Sequence, residues 1–359
     1  MWTWALDYLA CPECREALSV IQLSPDERSG VIGHVGGDCH EVYPVIDGVP
    51  RILLGESRTL VYARKRGWFG STLAETFAHW APRSSMETAD LRIVRRFDEE
   101  WSRFAGVGSE EQNRLFDDYF DVVPPGLLAP GILTLDAGCG AGRWANEIQR
   151  HGNRVIAVDL GFSIELAERN TRDTGRVACV QGDVRRVPIR NGAIAFTYSL
   201  GVLHHIADTE AALTELARVT QPNGTCLVYL YYALDDRSPL YRGLFRLVDA
   251  LRRFSSRLPQ PLLVGFSTLT AALVYWPFAR AAAALERMGL SSIARALPLS
   301  FYAHLSFETM RNDSLDRFGT QLEKRYTLAR VEELMTRAGF AEARASRRMP
   351  KWRVAARKL

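Results

Sequence analysis

Residues 132–142 read Ile-Leu-Thr-Leu-Asp-Ala-Gly-Cys-Gly-Ala-Gly, and this stretch decides the fold. Its first six residues form an apolar run of the length expected for a buried strand. Gly138, Gly140 and Gly142 follow at alternate positions, where glycine lets the backbone turn tightly and approach a ligand closely. Residues 143–152 continue with a helical pattern, and the start of a helix offers free backbone amides. The stretch therefore predicts a strand, a ligand-binding turn and a helix.

Units of the same kind continue along the chain. Apolar strand-like segments alternate with amphipathic helical segments, which is typical of a parallel sheet covered by helices on both faces. The predicted strands occupy 132–137, 154–160, 176–183, 193–200, 225–232 and, near the end, about 341–347 and 351–357, with helices at 163–173, 209–220 and 328–339. The sequence thus predicts an α/β fold: a doubly wound, seven-stranded, mostly parallel sheet.

Three aspartates follow or end successive predicted strands. Asp136 precedes the glycines, Asp159 ends the second strand and Asp183 ends the third. Because the carboxyl ends of parallel strands meet at one edge of a sheet, we expect these carboxylates to lie together. Asp159 could accept hydrogen bonds from two ribose hydroxyls, and Asp183 from an adenine amino group. Arg143 stands where a dinucleotide-binding fold needs its third glycine, so the pattern favours a different adenosine-containing cofactor.

Five motifs in order resemble the motif series of the class I S-adenosylmethionine-dependent methyltransferases. They are LDAGCGAGRW (135–144), VIAVDLG (155–161), GDVRRVP (182–188), FTYSLGVLHHI (196–206) and LARVTQPNGTCLVY (216–229). The resemblance covers about 130–232 and resumes at 327–357. It implies contact with S-adenosylmethionine by Asp136, Gly138, Gly140, Gly142, Asp159, Asp183, Val184 and Ser199. Residues 97–104, FDEEWSRF, resemble a helix that closes over the cofactor in many relatives; alternatively, their aromatic side chains pack against the sheet edge.

His204 and His205 follow the fourth predicted strand, at the mouth where the activated methyl group should point. Methyl transfer is an in-line displacement, and a general base is needed only if the accepting atom must lose a proton. Either histidine could be that base or orient the acceptor. Alternatively, at least one of them packs against the loop. The predicted catalytic residues are therefore His204 and His205.

The N-terminal cysteines resemble a small zinc-ribbon domain of the kind found at the front of some methyltransferases. Cys11 and Cys14 match its first Cys-x-x-Cys pair, and Cys39 matches its last cysteine. Gly36 replaces the remaining cysteine, so His34 or His40 would have to complete a Cys3His site. Otherwise the domain has lost its zinc and is stabilised by apolar packing. The candidate metal ligands are Cys11, Cys14, Cys39 and His34.

The predicted strands five and six are separated by a long segment rich in aromatic residues. The uncharged residues between Arg257 and Arg280 are numerous enough to span a bilayer. A single crossing, however, would place two parts of one sheet on opposite sides of the membrane. We expect buried helices that roof the active site or, alternatively, an interfacial helix that admits a lipid-like acceptor. An apolar acceptor pocket is predicted from Tyr231, Tyr232, Tyr275, Trp276, Phe301 and Tyr302.

These patterns divide the chain into four expected regions. They are a zinc-ribbon-like domain (1–55), a helical linker or cap (56–130), a methyltransferase domain (131–232 and 327–359) and a helical substrate-lid insertion (233–326). Composition agrees with a folded protein, since 47% of the 359 residues are hydrophobic and the net charge is only +4. The first residues show no signal-peptide pattern and the six cysteines no disulfide framework, so we expect a cytoplasmic protein.

The leading functional hypothesis is methyl transfer to a small, hydrophobic metabolite, with peripheral membrane contact as an open alternative for localisation. A second hypothesis is an RNA methyltransferase, suggested by the basic residues at 64–66 together with Arg92, Arg95 and Arg96. A third is a catalytically silent partner or scaffold protein, although the glycines and carboxylates of the cofactor site are all present. The sequence leaves the oligomeric state and the acceptor atom open.

Overall fold

The computed structural model describes residues 3–34, 38–69, 76–80, 109–235, 238–320, 322–346 and 351–359. The predicted cap residues 97–104, together with Arg92, Arg95, Arg96 and Gly36, lie outside the described residues. The described chain forms two β-sheets, with helices between and around them.

The N-terminal sheet has four antiparallel strands, in the order β1-β2-β3-β4. These are β1 (Ser19–Leu23), β2 (Ser29–Gly33), β3 (Val42–Ile46) and β4 (Val49–Pro50). Short helices follow, α1 (Ser57–Arg64) and α2 (Arg66–Phe69). The inner residues of β2 and β3 are buried, whereas β1 is largely exposed.

The second sheet has seven strands in the order β10-β11-β9-β8-β5-β6-β7. They are β5 (Leu133–Ala137), β6 (Arg154–Asp159), β7 (Val177–Gln181), β8 (Ile194–Leu200), β9 (Thr220–Tyr231), β10 (Phe340–Ala345) and β11 (Lys351–Lys358). β11 runs antiparallel to β9 and β10, while the pairs from β9 to β7 are parallel. The predicted mostly parallel seven-stranded sheet is confirmed.

Helices cover both faces of this sheet, as the alternation of strands and helices requires. They are α3 (Ser109–Tyr119), α4 (Arg143–Arg150), α5 (Ser163–Thr171), α6 (Thr209–Val219) and α12 (Leu328–Arg337). The apolar core is divided between the two faces: Ile156 and Val158 pack on one side, and Val155 and Ala157 on the other. This alternation follows from the side-chain period of a strand.

The insertion between β9 and α12 is helical. It contains α7 (Pro239–Ser255), α8 (Gln260–Thr270), a π-helical turn (Ala271–Tyr275), α9 (Trp276–Arg287), α10 (Ser291–Ala296) and α11 (Phe307–Gly319). α7 and α8 both pack on α11: Ser255 Oγ donates to the Phe318 carbonyl at 2.8 Å. Ser314 Oγ donates to the Ser267 carbonyl at 3.1 Å. α11 therefore holds α7 and α8 together within the insertion.

The N-terminal sheet is docked on the β7 edge of the main sheet. Arg51 forms a parallel bridge with Gln181, and the Ile52 amide donates to the Gln181 carbonyl at 2.8 Å. Leu9 forms a second bridge with Ile189, so backbone pairing holds the N-terminal part at two places. An unpaired edge strand is thereby covered.

Candidate active site

The glycine turn lies at the carboxyl end of β5, and each glycine adopts a backbone conformation that disfavours other residues. The φ angles are +86° at Gly138, +53° at Gly140 and +78° at Gly142. A Cβ at Gly138 would stand 2.4 Å from a methyl carbon of Val202, and one at Gly142 would stand 2.9 Å from the Cβ of Ala167. Both φ and space therefore require glycine, and α4 begins directly behind the turn.

Asp159 at the end of β6 reaches into this turn. Its Oδ2 accepts from the Gly140 amide at 2.8 Å, and its Oδ1 accepts from the Gly161 amide at 2.8 Å. Burial raises the pKa of the Asp159 carboxyl, and the amide hydrogen bonds oppose that shift. The two amides fix the direction of the carboxylate, and Ser163 Oγ also donates to Oδ1, at 3.3 Å. Oδ2 is therefore the oxygen that has a second lone pair for a ligand hydroxyl.

Asp136 at the end of β5 is 2% exposed, and burial raises the pKa of its carboxyl to about 7. The neighbouring Tyr198 hydroxyl opposes this shift, and Asp159 adds to it. Within the described chain, Asp136 Oδ2 has no hydrogen-bond partner. Buried carboxylate oxygens are normally paired, so this oxygen is suited to accept from a bound ligand.

The remaining predicted cofactor residues are engaged in contacts within the chain or are buried. Asp183 is held by its neighbour Arg185, whose guanidinium contacts both carboxylate oxygens at 2.7–3.1 Å. Ser199 Oγ donates to the Ala137 carbonyl at 2.8 Å, so this hydroxyl links β8 to β5. Val184 is buried at the end of the same loop as Asp183. Cofactor contact by these three residues stays a prediction.

His204 and His205 lie in a short 3-10 turn (Leu203–His205) after β8, and both are buried. The His204 ring stacks on Tyr231, with centroids 3.9 Å apart, and its two nitrogens have no hydrogen-bond partner among the described residues. Burial lowers the pKa of His204 well below its ordinary value, and His205 and Arg325 act in the same direction. His205 Nδ1 donates to the Leu322 carbonyl at 2.7 Å, and its Nε2 is 3.9 Å from Asp316 Oδ1. The two histidines thus have different environments.

Aromatic side chains extend from the glycine turn into the insertion, and we call the region between them the aromatic cleft. Tyr119 connects the two, because its ring is 4.9 Å from that of Trp144 in α4 and 5.5 Å from that of Tyr229 in β9. Tyr275 and Tyr302 pack 5.2 Å apart in the insertion, and Tyr119 and Trp144 pack against the same apolar cluster. The aromatic cleft is thus defined by side chains of the helices, of β9 and of the π-helical turn.

Sequence reasoning missed the charged wall of this cleft, which is formed by α11. Asp316 accepts from the Tyr231 hydroxyl and Asp313 from the Tyr302 hydroxyl, both at 2.8 Å. Arg317 interacts electrostatically with the same group of tyrosines. No motif marks these residues, because α11 belongs to an insertion without a repeating pattern. The cleft is aromatic, but it is not wholly apolar.

The structure brings only part of the predicted aromatic set together here. Tyr231, Tyr275 and Tyr302 line the cleft. Tyr232 instead packs against Trp352 at 6.3 Å, and Trp276 lies at the surface with 39% of its area exposed. The prediction was wrong for these two. Tyr232 directly follows Tyr231 in extended chain and so points to the opposite side. Trp276 lies on a helix whose apolar sequence does not reveal which side faces inward.

The predicted metal ligands Cys11, Cys14, His34 and Cys39 form one cluster, with all four ligand atoms within 4.8 Å of one another. Cys14 Sγ is 3.4 Å from His34 Nε2, and Cys11 Sγ is 3.9 Å from Cys39 Sγ. Ligands at about 2.0–2.3 Å from a tetrahedral zinc ion would stand about 3.5–3.8 Å apart, so the donor set and spacing fit a Cys3His site. Of the two histidines considered, His34 completes the cluster.

Comparisons with known proteins agree with this geometry. Residues 135–228 match a family model described as a methyltransferase domain. A malonyl-[acyl-carrier protein] O-methyltransferase of Erwinia billingiae is 31% identical over 163 residues, which are 40% of this chain and 62% of that protein. A ubiquinone biosynthesis O-methyltransferase of Hahella chejuensis is 28% identical over 166 residues, or 43% of this chain and 65% of that protein. The chain thus spans less than two thirds of either relative.

Among solved structures, 1,6-didemethyltoxoflavin-N1-methyltransferase of Burkholderia thailandensis, with bound S-adenosylhomocysteine, is 16% identical to this chain. The match covers 77% of this chain and 94% of that one, with a TM-score of 0.42, which carries no argument about function. Residues 135–228 thus match a methyltransferase domain, and the seven-stranded sheet that contains them is Rossmann-like.

Proposed function

We propose that the chain transfers a methyl group from S-adenosylmethionine to a small, largely hydrophobic acceptor. The observation that carries this proposal is the glycine turn, with the buried carboxylate of Asp136 and the half-buried carboxylate of Asp159 at the ends of adjacent strands. S-adenosylmethionine, when bound, supplies a methyl group activated by a positive sulfur. A site that is rich in buried acceptors and open to close backbone approach suits such a cation.

Each part of the turn has a separate task under this proposal. Asp159, oriented by the Gly140 and Gly161 amides, would accept from the ribose hydroxyls. The unpaired oxygen of Asp136 would accept from the amino acid part of the cofactor. Gly138 and Gly142 let the turn pack closely against Val202 and Ala167, where no Cβ would fit. Because these groups are already in position, they would bind and orient the cofactor without rearrangement of the turn.

The aromatic cleft would receive the acceptor. Tyr229 and Tyr231 form its floor beside the histidines, and Tyr275 comes from the π-helical turn above. Rings that exclude water from the transfer favour displacement over side reactions. The polar hydroxyl ends and the charged wall of α11 would orient an acceptor that is apolar in its body and polar at one end.

His205 is the better placed of the two predicted bases. Donation of Nδ1–H to the Leu322 carbonyl fixes the ring, and Nε2, 3.9 Å from Asp316 Oδ1, is the nitrogen that would take a proton; Asp316 would stabilise the resulting charge. Burial holds His204 in its neutral form and makes it a weak base. We assign proton removal, where the acceptor needs it, to His205 and packing on Tyr231 to His204; roughly equal loss of turnover in His204→Gln and His205→Gln would contradict this.

The RNA hypothesis is not favoured by the residues that the structure describes. Lys65 pairs with Asp47 at 2.7 Å and with Glu165 at 2.9 Å, and the Arg64 guanidinium lies 4.6 Å from the Phe162 ring centroid. These contacts use two members of the basic group for docking within the protein. The scaffold hypothesis is not favoured either, because the cofactor turn is intact.

Calorimetry with S-adenosylhomocysteine tests the cofactor assignment. We expect binding by the wild-type chain and about 100-fold weaker binding by Asp159→Ala, because two charge-assisted hydrogen bonds are lost. Asp173→Ala, an exposed aspartate in the turn after α5, is the matched control and should bind normally. Failure of the wild type to bind, or equal binding by Asp159→Ala, would contradict the proposal.

We also infer that Cys11, Cys14, His34 and Cys39 hold a structural zinc ion. A closed four-ligand set with no open position suits structure rather than catalysis. Elemental analysis of the purified chain should find about one zinc per molecule, and a metal-free folded chain would contradict the inference.

All six cysteines are free of disulfides, which supports our proposal of a cytoplasmic, reducing location.

A further inference from the structure

The insertion exposes an unusual amount of apolar surface. Of the fifteen large hydrophobic side chains that are exposed among the described residues, twelve lie between 247 and 293. They are Leu247, Leu251, Phe254, Leu262, Leu269, Leu273, Val274, Trp276, Phe278, Met288, Leu290 and Ile293. Exposed apolar residues scattered singly are normal, but a concentration in one segment marks an interaction surface. We call residues 239–296 the exposed helical segment.

Each long helix of this segment is buried on one face and exposed on the other. Leu262, Leu269 and Leu273 are spaced seven and four residues apart, so they share one side of the helix, and they are 60%, 60% and 72% exposed. Leu263, at 1% exposure, faces Leu315 and Phe318 of α11 instead. The expectation of fully buried roof helices was therefore wrong, because only the inner faces find partners.

All exposed charged side chains of the exposed helical segment are positive. Its exposed charged side chains are Arg242, Arg246, Arg253, Arg257, Arg287 and Arg295. The two acidic residues of the segment are half-buried and paired: Asp249 with Arg252 and Arg253, and Glu286 with His304. A surface that combines exposed apolar side chains with arginines and no exposed acid is complementary to anionic lipid headgroups over an acyl layer.

We propose that the exposed helical segment docks the protein onto an anionic phospholipid membrane, with its helices lying in the interface. The helix Gln260–Arg287 is long and apolar enough to cross a membrane, yet only 28% of its most apolar window is buried in the fold. A single crossing is excluded by connectivity, because β9 before the segment and β11 after it pair residue by residue in one sheet. Both ends of the exposed helical segment must therefore lie on the same side of the membrane.

A second copy of the chain fits this surface less well than lipid does. Two such segments facing each other would bring six exposed arginines against six others, with no exposed acid to pair them. Lipid phosphates would neutralise these arginines, and the leucines between them would enter the acyl boundary.

Docking by this segment would place the membrane directly above the cleft. Tyr275 belongs to the same continuous helix as Leu273, but it is 3% exposed and packs on Tyr302 inside the cleft, whereas Leu273 is 72% exposed. One wall thus separates cleft and lipid. Entry of a hydrophobic acceptor from the membrane rests on the proposed function, whereas membrane docking itself does not.

Flotation of the full chain with vesicles tests the docking. Vesicles of phosphatidylcholine with about 30 mol% phosphatidylglycerol should bind the wild-type chain, and about 0.5 M NaCl should weaken that binding. Substituting Arg242→Gln, Arg246→Gln and Arg253→Gln together should weaken it about 100-fold, since each arginine near an anionic surface contributes about fivefold. Leu262→Gln with Leu273→Gln should weaken it about tenfold through loss of inserted apolar area.

The matched control replaces three exposed arginines of the methyltransferase domain, Arg172→Gln, Arg176→Gln and Arg190→Gln, and should bind vesicles as the wild type does. S-adenosylhomocysteine binding, measured on every variant, shows that the fold is kept and separates failure of docking from failure of the proposed function. Absence of wild-type flotation, equal loss in the control, a salt-resistant spanning form, or a stable dimer that buries these leucines would each overturn the proposal.

Discussion

Two parts are added to the methyltransferase domain: the N-terminal part up to residue 55, which we call the ribbon, and the exposed helical segment. They differ in how completely they are packed against the rest of the chain. The ribbon is fixed by buried polar contacts: Arg51, 0% exposed, donates to Gln181 at 2.8 Å and to Glu165 at 2.7 Å. The exposed helical segment buries one helix face and leaves the other bare, with Leu273 72% exposed. An addition fixed by buried contacts within the chain serves the fold, whereas one that leaves a basic, apolar face open is suited to an external partner.

Removing a zinc ligand should produce the largest effect. Cys39→Ala opens the Cys3His cluster, and because a structural zinc ion contributes folding free energy directly, the free energy of unfolding should fall by on the order of 5 kcal/mol. Urea denaturation, with zinc release followed by a chromogenic chelator, measures both events. A loss of stability without zinc release would contradict the assigned site.

The matched control for this change is Cys226→Ala, which removes a fully buried thiol of β9 outside the cluster. It should cost only about 1 kcal/mol, the usual penalty for a small cavity. If Cys226→Ala cost as much as Cys39→Ala, thiol packing rather than metal would explain the stability of the ribbon.

Breaking the buried contact between ribbon and sheet should have the next largest effect. Arg51→Met leaves the buried Gln181 Oε1 without its donor and leaves Glu165 with Lys65 as its remaining partner; burial already lowers the pKa of this arginine, so its charge depends on Glu165. We expect a loss of about 3–5 kcal/mol in urea denaturation.

Arg28→Met provides the comparison for Arg51→Met within the same interface. Arg28 also reaches α5, where it pairs with Glu168 at 3.1 Å, but its side chain is 40% exposed. An exposed pair contributes at most about 1 kcal/mol, so this variant should unfold almost as the wild type does. Equal losses in the two variants would show that the ribbon is not fixed by its buried contacts.

Sequence reasoning succeeded where the physical constraint is local. The parallel strands are predictable because both faces are buried and each strand reads as an apolar run, as in β6 and β7. The glycine turn is predictable because Gly138 and Gly142 are required by φ and by space at once. The extent of β9 was less predictable: it begins at Thr220, before the apolar part of the strand.

Features that depend on long-range packing were not predictable. Arg51 reads as an ordinary surface arginine, yet it is fully buried because Gln181 and Glu165, far along the chain, supply its partners. The contact of Arg185 with Asp183 was likewise not predicted. The insertion shows the limit most clearly, since a helix that is apolar all round gives no indication of which side is covered.

The smallest stability change is expected on the bare face of the exposed helical segment. Leu262→Gln with Leu273→Gln removes two leucines that contact no core cluster, and glutamine has nearly the same helix propensity. The free energy of unfolding in urea should therefore stay within about 0.5 kcal/mol of the wild type. Leu263→Gln, one residue along and 1% exposed, buries an amide against α11 and should cost about 3 kcal/mol. A large fall in the free energy of unfolding for the exposed pair would mean that this face is covered within the chain itself. The ribbon and the exposed helical segment would then no longer differ in how they are packed.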